Sequence, residues 1–434
     1  MNLRSRARRT RAVSVLAAAS LGVSLLAGCG SNGPASGDSD TLNVWVYQDA
    51  SGKVQEQAVK EFNKTSKVKA KLHQIPADGY EDKLRTGMGS PNAPDVFFNW
   101  GGGSIKDYVD QGQILDLGPT LEKDPELAEA FVPSVFEGGR IGGKQYGIPM
   151  RGVQPVILFY NKAVFEAAGA EPPGSWEDLL GLVDTFKKEG VTPFALGGAD
   201  AWPELMWLEY LVDRYGGAEV FQTIQDGDSG GWTDPAMLKG AETIRELVDR
   251  GAFGKNFASV NYVADGASTL FAKGRAAMHL MGSWEYANQL ANQPEFAKKD
   301  LGYVAFPALP GGSGDSDSIV GNPTNYWSIN ARSKHQEAAV EFAKLAAEPF
   351  YAEALVANGD VPPAADSASL LKKHSTPDYA EFQYELVEKA PAFTLSWDQA
   401  LPPSVVTPLN TNLQQLFNGK LSPKGFVEAM KAAK

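Results

Sequence analysis

The sequence predicts an α/β protein with more than one domain, and three observations lead to this fold class. The chain has 434 residues, more than the roughly 100–200 residues of a typical single domain. Its composition, 43% hydrophobic and 21% charged, is typical of globular proteins and excludes disordered or fibrous ones. Strand-like and helical segments alternate along the chain, and this order indicates parallel strands with ligand-binding loops at their carboxyl ends.

The first predicted block has the order β-α-β-α-β and ends at two candidate site residues. Its elements are, in order, a strand at Thr41–Tyr47, a helix that Ser51 can cap, a half-exposed strand at 67–72, a helix from about Tyr80 and a buried strand at 94–98. Asn99 and Trp100 follow the last of these strands. In a parallel sheet, this end of the strand is where ligand chemistry is expected.

A second α/β block follows along the chain. Its predicted elements are, in order, a strand at 156–160, a helix at 176–188 with Ser175 and Asp178 as a capping box, a strand at 193–196, a helix at about 234–250, a strand at 276–281 and a strand near 326–330. Trp202 and Trp284 lie just after two of these strands. The block therefore offers a second set of strand-end aromatics.

The sequence of residues 1–28 indicates a secretory signal peptide that does not belong to the folded domains. Their arginines precede an apolar run at 12–27, which is shorter than the ~20 residues that span a bilayer. Cys29 comes next in Leu-Ala-Gly-Cys, which resembles the lipobox of bacterial lipoproteins, in which this cysteine is acylated. A buried free thiol is the alternative. Arg8-Arg9 leaves a twin-arginine signal open beside the general route, and the small polar residues 29–40 predict a flexible tether.

Charge and residue counts exclude several classes of function. The chain has 40 Lys plus Arg, 52 Asp plus Glu and a net charge of −12, which becomes −17 without the five arginines of residues 1–28. A protein with this negative net charge repels the phosphate backbone of nucleic acids, so nucleic acid is not an expected partner. One cysteine and four scattered histidines predict no internal disulfide, metal site or cofactor.

The tryptophans give the strongest indication of a ligand. Core packing is expected for four of the nine, Trp45, Trp176, Trp207 and Trp232. The other five lie in predicted loops, just past strands or near a strand start: Trp100, Trp202, Trp284, Trp327 and Trp397. A sugar ring can cover such exposed indoles, because its C–H face packs on them while its hydroxyls bind polar side chains.

Two other kinds of site stay open at this stage. A lipid-anchored glycoside hydrolase also has an aromatic cleft, but it needs two carboxylates roughly 5–10 Å apart, and no pair stands out. The glycine-rich segment 101–104 before a predicted helix is compatible with an anion site, although it lacks the Lys-Ser/Thr of a P-loop.

An ordered set of motifs resembles the extracellular solute-binding lipoproteins of bacterial carbohydrate ABC importers, the family 1 group that includes maltose-binding proteins. The resemblance covers nearly all of residues 41–434. Besides the lipobox, the motifs are Leu-Asn-Val-Trp-Val at 42–46, Ala-Pro-Asp-Val at 93–96, Tyr-Gly-Ile-Pro at 146–149, Phe-Tyr-Asn-Lys at 159–162, Phe-Ala-Lys-Gly-Arg-Ala-Ala-Met at 271–278 and Gly-Ser-Trp at 282–284.

The resemblance implies a two-lobe periplasmic-binding-protein-like fold with a hinge and an interlobe cleft. Lobe one would comprise residues 41–152 and 325–375, and lobe two residues 153–324 and 376–434, with crossovers near 151–155, 322–326 and 375. The ligand-binding residues carried over by position are Asp49, Asn99, Trp100, Arg151, Gln154, Trp202, Trp284, Asn325, Trp327 and Trp397.

The implied function is the capture of a short oligosaccharide without catalysis. The segment 97–103 is most similar to actinobacterial members that bind xylobiose or related β-linked sugars, whereas Tyr47–Ser51 lacks the basic residue of the maltose type. Hinge closure would present the sugar to permease subunits that work with a separate ATPase. We therefore expect a monomer on the extracellular face of the cell membrane, anchored only by a lipid, palmitate included, on Cys29.

Overall fold

The computed structural model describes residues 41–48, 51–76, 79–262 and 265–432. The predicted signal peptide, the tether with Cys29, and Asp49 lie outside the described residues. Within these ranges, no helix is both long enough and apolar enough to cross a bilayer.

The described residues form thirteen strands in two main sheets and a small hairpin. They are β1 (Thr41–Tyr47), β2 (Lys69–Ile75), β3 (Val96–Asn99), β4 (Arg140–Ile141), β5 (Lys144–Gln145), β6 (Ile148–Pro149), β7 (Gln154–Asn161), β8 (Thr192–Ala195), β9 (Ala276–Gly282), β10 (Leu301–Val304), β11 (Ile319–Asn322), β12 (Tyr326–Ile329) and β13 (Phe393–Leu395).

Helices lie between the strands and cover the sheets. They are α1 (Gly52–Thr65), α2 (Tyr80–Met88), α3 (Gly103–Asp110), α4 (Gly118–Lys123), α5 (Glu126–Glu129), α6 (Pro133–Glu137), α7 (Lys162–Ala168), α8 (Trp176–Lys188), α9 (Trp202–Gly216), α10 (Ala218–Gln225), α11 (Pro235–Arg250), α12 (Ala267–Ala272), α13 (Trp284–Asn292), α14 (Pro294–Lys299), α15 (Gln336–Lys344), α16 (Pro349–Asn358), α17 (Ala368–Leu371), α18 (Pro377–Lys389), α19 (Trp397–Ala400), α20 (Pro403–Phe417) and α21 (Pro423–Ala432).

The sheet of lobe one has the strand order β2-β1-β3-β12-β6. Strands β1, β2 and β3 are parallel, as the alternating sequence pattern predicts. Strand β12 runs antiparallel to β3 and to β6, which the sequence did not indicate. The chain reaches β12 on its return from the other sheet, so it enters at the end of lobe one where β3 leaves.

The sheet of lobe two has the strand order β13-β11-β7-β9-β8, and β10 pairs with the other part of β7. Strands β8 and β9 are parallel, whereas β7 is antiparallel to β9, β10 and β11. Each lobe has its own hydrophobic core. The two cores and two sheets make this a two-lobe α/β fold.

Helix caps account for several boundaries that the sequence predicted. The Ser175 hydroxyl accepts a hydrogen bond from the Asp178 amide at 3.2 Å and donates one to its carboxylate at 2.8 Å, which confirms the capping box of α8. Asp234 caps α11 through the Ala236 amide at 2.8 Å. Ser51 occupies the N-cap position of α1, but its side chain makes no capping hydrogen bond.

The chain passes between the two sheets three times, and hydrogen bonds join the crossing segments. The first crossing lies between β6 and β7, the second between β11 and β12, and the third between α16 and α18. The Thr324 hydroxyl donates to the Arg151 carbonyl oxygen at 2.6 Å, and the Val153 amide donates to the Val361 carbonyl oxygen at 2.9 Å. These bonds tie all three crossings together at the base of the cleft.

Candidate functional site

The base of the cleft holds the buried side chain of Arg151. One guanidinium nitrogen donates to the Tyr47 carbonyl oxygen at 3.2 Å. The guanidinium carbon lies 4.7 Å from the ring centre of Phe98, within the range of a cation–π interaction. Both partners belong to strand ends of lobe one, so Arg151 fixes the first crossover against that lobe. A ligand contact of Arg151 stays a prediction.

Trp100 lies on the lobe-one side of the cleft, directly after β3. Its ring centre is 4.8 Å from Phe98, 5.7 Å from Tyr47 and 5.9 Å from Tyr80, and all three rings meet it edge-on. These contacts hold the orientation of the indole, while part of it stays exposed. Trp100 is therefore a fixed aromatic surface that a ligand can reach.

Trp202 and Trp284 form a pair on lobe two. Each is the first residue of a helix, α9 and α13, whereas the sequence suggested that they lie in loops. Their ring centres are 6.2 Å apart with an angle of 55° between the planes, and both side chains are partly exposed. The helices begin near the carboxyl ends of β8 and β9, which are parallel neighbours, so the two indoles arrive at the same edge of the sheet.

Gly282, the last residue of β9, makes room for the Trp284 ring. A Cβ atom built at this position would collide with the six-membered ring of the indole. Only glycine therefore lets the Trp284 ring lie directly over the strand end. This close packing limits the positions open to Trp284.

The helices that follow or begin at the candidate tryptophans lie near the boundary between the lobes. Helix α19 of lobe two contacts α3, which follows Trp100, and α9, which begins at Trp202. In addition, a pocket of about 520 Å³ separates the start of α1 in lobe one from α13, which begins at Trp284. The residues that line this pocket do not include Trp100, Trp202 or Trp284, so a ligand site shared by the three tryptophans stays a prediction.

Two acids on the lobe-two side have raised pKa values. Burial and the negative charge of Glu81 on lobe one raise the pKa of Asp398, in the first turn of α19, to about 6. Burial raises the pKa of Glu204, in the first turn of α9, to about 8. Such acids are protonated more readily than exposed ones and can then donate hydrogen bonds.

The side chains of three predicted site residues make contacts inside their own lobe. Trp327 is 1% exposed and packs against Phe342 in the lobe-one core. Trp397 is 1% exposed and stacks on Phe221 at 4.7 Å in the lobe-two core. The Asn99 amide nitrogen donates to the Ser328 hydroxyl at 2.8 Å, and its oxygen accepts from the Gly101 amide. These contacts give the three side chains structural roles in this conformation, and ligand contacts of Asn99, Trp327 and Trp397 stay predictions.

The other predicted residues lie at the crossovers. Gln154 is the first residue of β7 and is partly exposed. Asn325 is buried at the second crossover, and its carbonyl oxygen accepts from the Met150 amide at 2.8 Å. Within the described ranges, its side-chain nitrogen has no hydrogen-bond partner. Ligand contacts of Gln154 and Asn325 stay predictions.

The glycine-rich segment after Trp100 does not have the geometry of an anion site. The Gly101 amide already donates to Asn99, and the Ser104 hydroxyl donates to the Gly101 carbonyl oxygen at 2.6 Å. Main-chain atoms of Ala400 lie so close to Gly103 that a Cβ atom there would be 2.5 Å from the Ala400 oxygen. The segment is thus a close contact between the lobes. Among the described residues, no group of three His, Cys, Asp or Glu side chains could hold a metal ion.

Sequence reasoning missed residues that support the tryptophan pair. Tyr262 lies 5.1 Å from Trp202 and is buried, and Asp200 and Glu285 bind it from two sides. No periodic pattern or motif surrounds Tyr262. Asp200 and Glu285 are close in sequence to Trp202 and Trp284, and this proximity is the only signal that could have found them.

Two α/β lobes joined by three crossings, with partly exposed aromatic side chains on each lobe, are typical of hinged solute-binding proteins. Comparison with known sequences agrees with this class. Residues 48–353, more than half of the chain, match the family described as bacterial extracellular solute-binding protein. The chain belongs to this family.

Similar proteins cover most of the chain. The diacetylchitobiose-binding protein DasA of Streptomyces coelicolor is 29% identical over 331 residues, 74% of this chain and 73% of that protein. A solved structure reported with work on xylan utilization by the thermophilic bacterium Caldanaerobius polysaccharolyticus has a TM-score of 0.79 at 25% identity, covering 90% of this chain and 99% of the other. A chitin oligosaccharide binding protein has a TM-score of 0.77 at 26% identity, covering 91% and 98%.

Proposed function

We propose that this protein is the substrate-binding component of an ABC importer and captures a short oligosaccharide in its interlobe cleft. The observation that carries the proposal is the pair of partly exposed indoles, Trp202 and Trp284, on lobe two, beside the partly exposed Trp100 of lobe one. Exposed aromatic faces in a cleft favour a ligand with apolar C–H faces and polar edges, which is the chemistry of a sugar.

The similar proteins support a β-linked sugar as the ligand. One relative is named for diacetylchitobiose, a structural neighbour is named for chitin oligosaccharides, and another was reported in work on xylan utilization. Xylobiose or a short xylo-oligosaccharide is our first candidate, because of the segment 97–103. Diacetylchitobiose is the second, on the likeness to DasA.

Hinge closure is the proposed mechanism of capture. The sugar first docks on the aromatic surface of one lobe, and closure about the three crossovers then brings the second aromatic surface onto it. Only the ligand's higher affinity for the closed form can drive this change. The closed form would then deliver the sugar to permease subunits served by a separate ATPase.

The proposal includes an extracellular location with a lipid anchor on Cys29. The anchor would keep the two-lobe body near the permease while the polar residues 30–40 let it move. Incorporation of labelled palmitate into the native protein, and its absence from a Cys29→Ser variant, would support this part. Labelling that persists in the variant would contradict it.

Replacement of Trp284 by alanine tests the proposed function directly. A thermal-shift screen with xylobiose, xylotriose, diacetylchitobiose and maltose first identifies the sugar, since a ligand at 100 times its Kd stabilises the native state by ~2.7 kcal/mol. For that sugar, we expect Trp284→Ala to weaken calorimetric affinity at least about tenfold, or ~1.4 kcal/mol, through loss of the stacking surface.

Trp45→Ala is the matched control for this experiment. Trp45 is also a partly exposed tryptophan, but it lies in β1 beside Lys83, whose ammonium group is 5.4 Å from its ring centre. The control should bind sugar as the native protein does. Equal affinities of the two variants would contradict the assignment of Trp284, and shortened oligosaccharides after incubation would instead favour a hydrolase.

A further inference from the structure

Tyr262 connects the starts of the two helices, α9 and α13, that begin at the lobe-two tryptophans. Its backbone amide donates to a carboxylate oxygen of Asp200 at 2.6 Å, and Asp200 lies two residues before Trp202. Its hydroxyl donates to a carboxylate oxygen of Glu285 at 2.7 Å, and Glu285 directly follows Trp284. One residue therefore bonds to both neighbours of the indole pair.

The ring of Tyr262 lies beneath the pair and not beside a ligand. Its centre is 5.1 Å from that of Trp202, at an angle of 75° between the planes, and its side chain is only 5% exposed. The ring thus supports Trp202 edge-on, as in a preferred aromatic geometry. Tyr262 itself has almost no surface that a sugar could contact.

A network of buried hydrogen bonds holds the Tyr262 hydroxyl in place. The second oxygen of Glu285 accepts from the Ser268 hydroxyl at 2.9 Å and from the Gln289 amide nitrogen at 2.7 Å, and it lies 3.3 Å from His279. Burial alone would raise the pKa of Glu285, but the attraction of His279 and these hydrogen bonds hold it below its usual value.

The hydrogen bond from the Tyr262 hydroxyl to the Glu285 carboxylate is charge-assisted, because it joins a neutral donor to an ionised acceptor. Burial, with the nearby negative charge of Glu285, raises the pKa of the Tyr262 hydroxyl well above its usual value, so it stays a donor. A hydroxyl that donates to a carboxylate makes a shorter and stronger bond than a neutral pair does. The Asn288 side-chain amide nitrogen donates to the same hydroxyl at 2.8 Å.

We propose that Tyr262 is a positioning residue that sets the placement of Trp202 relative to Trp284 through its hydrogen bonds to Asp200 and Glu285. The inference rests on the proposed function in one respect, namely that the indole pair is the surface that receives the sugar. A pair fixed before binding loses little conformational freedom when the ligand arrives, and this pre-organisation increases affinity.

Tyr262→Phe tests the role of the hydroxyl and keeps the ring. Two indoles 6.2 Å apart couple electronically, so the near-ultraviolet circular dichroism of the free protein reports their relative orientation. We expect the variant to change this signal and to weaken affinity for the sugar identified by the screen about three- to tenfold, the effect of losing one bond of a supporting group.

Tyr210→Phe is the matched control. Tyr210 is a buried tyrosine of the same lobe, and its hydroxyl donates at 2.6 Å to the Val156 carbonyl oxygen, outside the Tyr262 network. We expect this variant to keep both the spectrum and the affinity. A Tyr262→Phe variant that matches Tyr210→Phe in either measurement would overturn the proposal.

Asp200→Ala provides a second variant should Tyr262→Phe fail to fold. Asp200 is partly exposed, so the protein tolerates its replacement more easily. The substitution removes the hydrogen bond between the Tyr262 amide and the Asp200 carboxylate. The same changes in spectrum and affinity are expected, and an unchanged spectrum would count against the proposal. Because the spectrum is recorded without sugar, it tests positioning even if the screen finds that no oligosaccharide binds.

Discussion

Glu204 is the residue whose environment is most at odds with its chemistry. It is fully buried in the first turn of α9, and within the described part of the chain neither carboxylate oxygen has a hydrogen-bond partner. Burial of this kind disfavours the charged form and raises the pKa to about 8. At neutral pH the group is therefore mostly protonated in the folded protein and ionised in the unfolded one.

We expect Glu204→Gln to remove the pH dependence that Glu204 gives to the stability of the native protein. Because the pKa of Glu204 is higher in the folded state, its contribution to the free energy of unfolding is fully present below the unfolded-state pKa of 4.5. This contribution is lost as the pH rises to about 8. The ionisation of Glu204 should lower the free energy of unfolding of the native protein by roughly 5 kcal/mol across this window. The neutral variant should be more stable than the native protein at pH 9 and no more stable at pH 5.

Urea unfolding at pH 5, 7 and 9 measures this difference. Glu242→Gln is a suitable control, because Glu242 is an exposed glutamate on the neighbouring helix α11. It should change stability little at any pH. A difference between Glu204→Gln and native protein that is constant from pH 5 to pH 9 would rule out the ionisation of Glu204 as the cause.

At the residue scale, the sequence indicated partly exposed aromatic side chains only where they come after the end of a strand. Trp100 directly follows β3, whereas Trp202 and Trp284 begin the helices that come after β8 and β9. All three are partly exposed, and their contact with a ligand stays a prediction. Trp327 lies within β12, a central strand that is buried along its whole length, so its position near a strand start carried no information about the cleft. Trp397 begins a helix, and the direction of its side chain is set by packing on Phe221 and not by local pattern.

At the scale of elements, the start of α9 shows how backbone strain accompanies the site. Ala201, which precedes Trp202, has φ 62° and ψ −50°, and it is the one non-glycine residue with positive φ in the described ranges. Residues in such regions cost roughly 1–3 kcal/mol and persist only where the surroundings enforce them. Here Asp200 supplies that constraint, because it accepts hydrogen bonds from Asn261 and Tyr262.

Ala201→Gly should separate stability from binding. Glycine adopts positive φ without steric cost, so we expect the strain to be relieved and the free energy of unfolding to rise by about 0.5–1 kcal/mol, after the entropy that glycine gains in the unfolded state. Affinity for the sugar should fall about two- to fivefold, because the turn before Trp202 becomes less constrained. Chemical denaturation and calorimetry check the two effects, and a variant that loses stability would contradict the strain at Ala201.

The elements themselves were largely predictable, because their local signals and their tertiary roles agree. The predicted helix at 176–188 and the predicted strand at 41–47 match α8 and β1 residue for residue. The start of α9 was missed, since Trp202-Pro203 follows a glycine-rich loop and the helix is buried on nearly all sides, which removes the amphipathic period. The antiparallel strands β6 and β12 depend on contacts distant in sequence, so no local pattern could reveal their direction.

At the scale of the whole molecule, the two lobes meet where the glycine segment of lobe one packs on α19 of lobe two. A Cβ atom at Gly103 would lie 2.5 Å from the Ala400 oxygen and 2.6 Å from the Leu401 carbonyl carbon. Both are backbone atoms, so they cannot give way as a flexible side chain would. The closeness of this contact makes Gly103 a point at which the distance between the lobes can be altered.

We expect Gly103→Ala to hold the lobes apart at this contact. Overpacking of this kind costs about 1–3 kcal/mol unless the structure moves, and the hinge allows the lobes to move. Small-angle scattering should therefore show a larger radius of gyration for the sugar-bound variant than for the sugar-bound native protein, together with a weaker sugar affinity. Gly89→Ala is the control, because Gly89 has φ −86° and no atom within 4 Å of a built Cβ. Equal scattering of the sugar-bound Gly103→Ala and Gly89→Ala variants would show that the contact between the glycine segment and α19 does not limit closure. The closed form would then have to be set by the tryptophan surfaces alone.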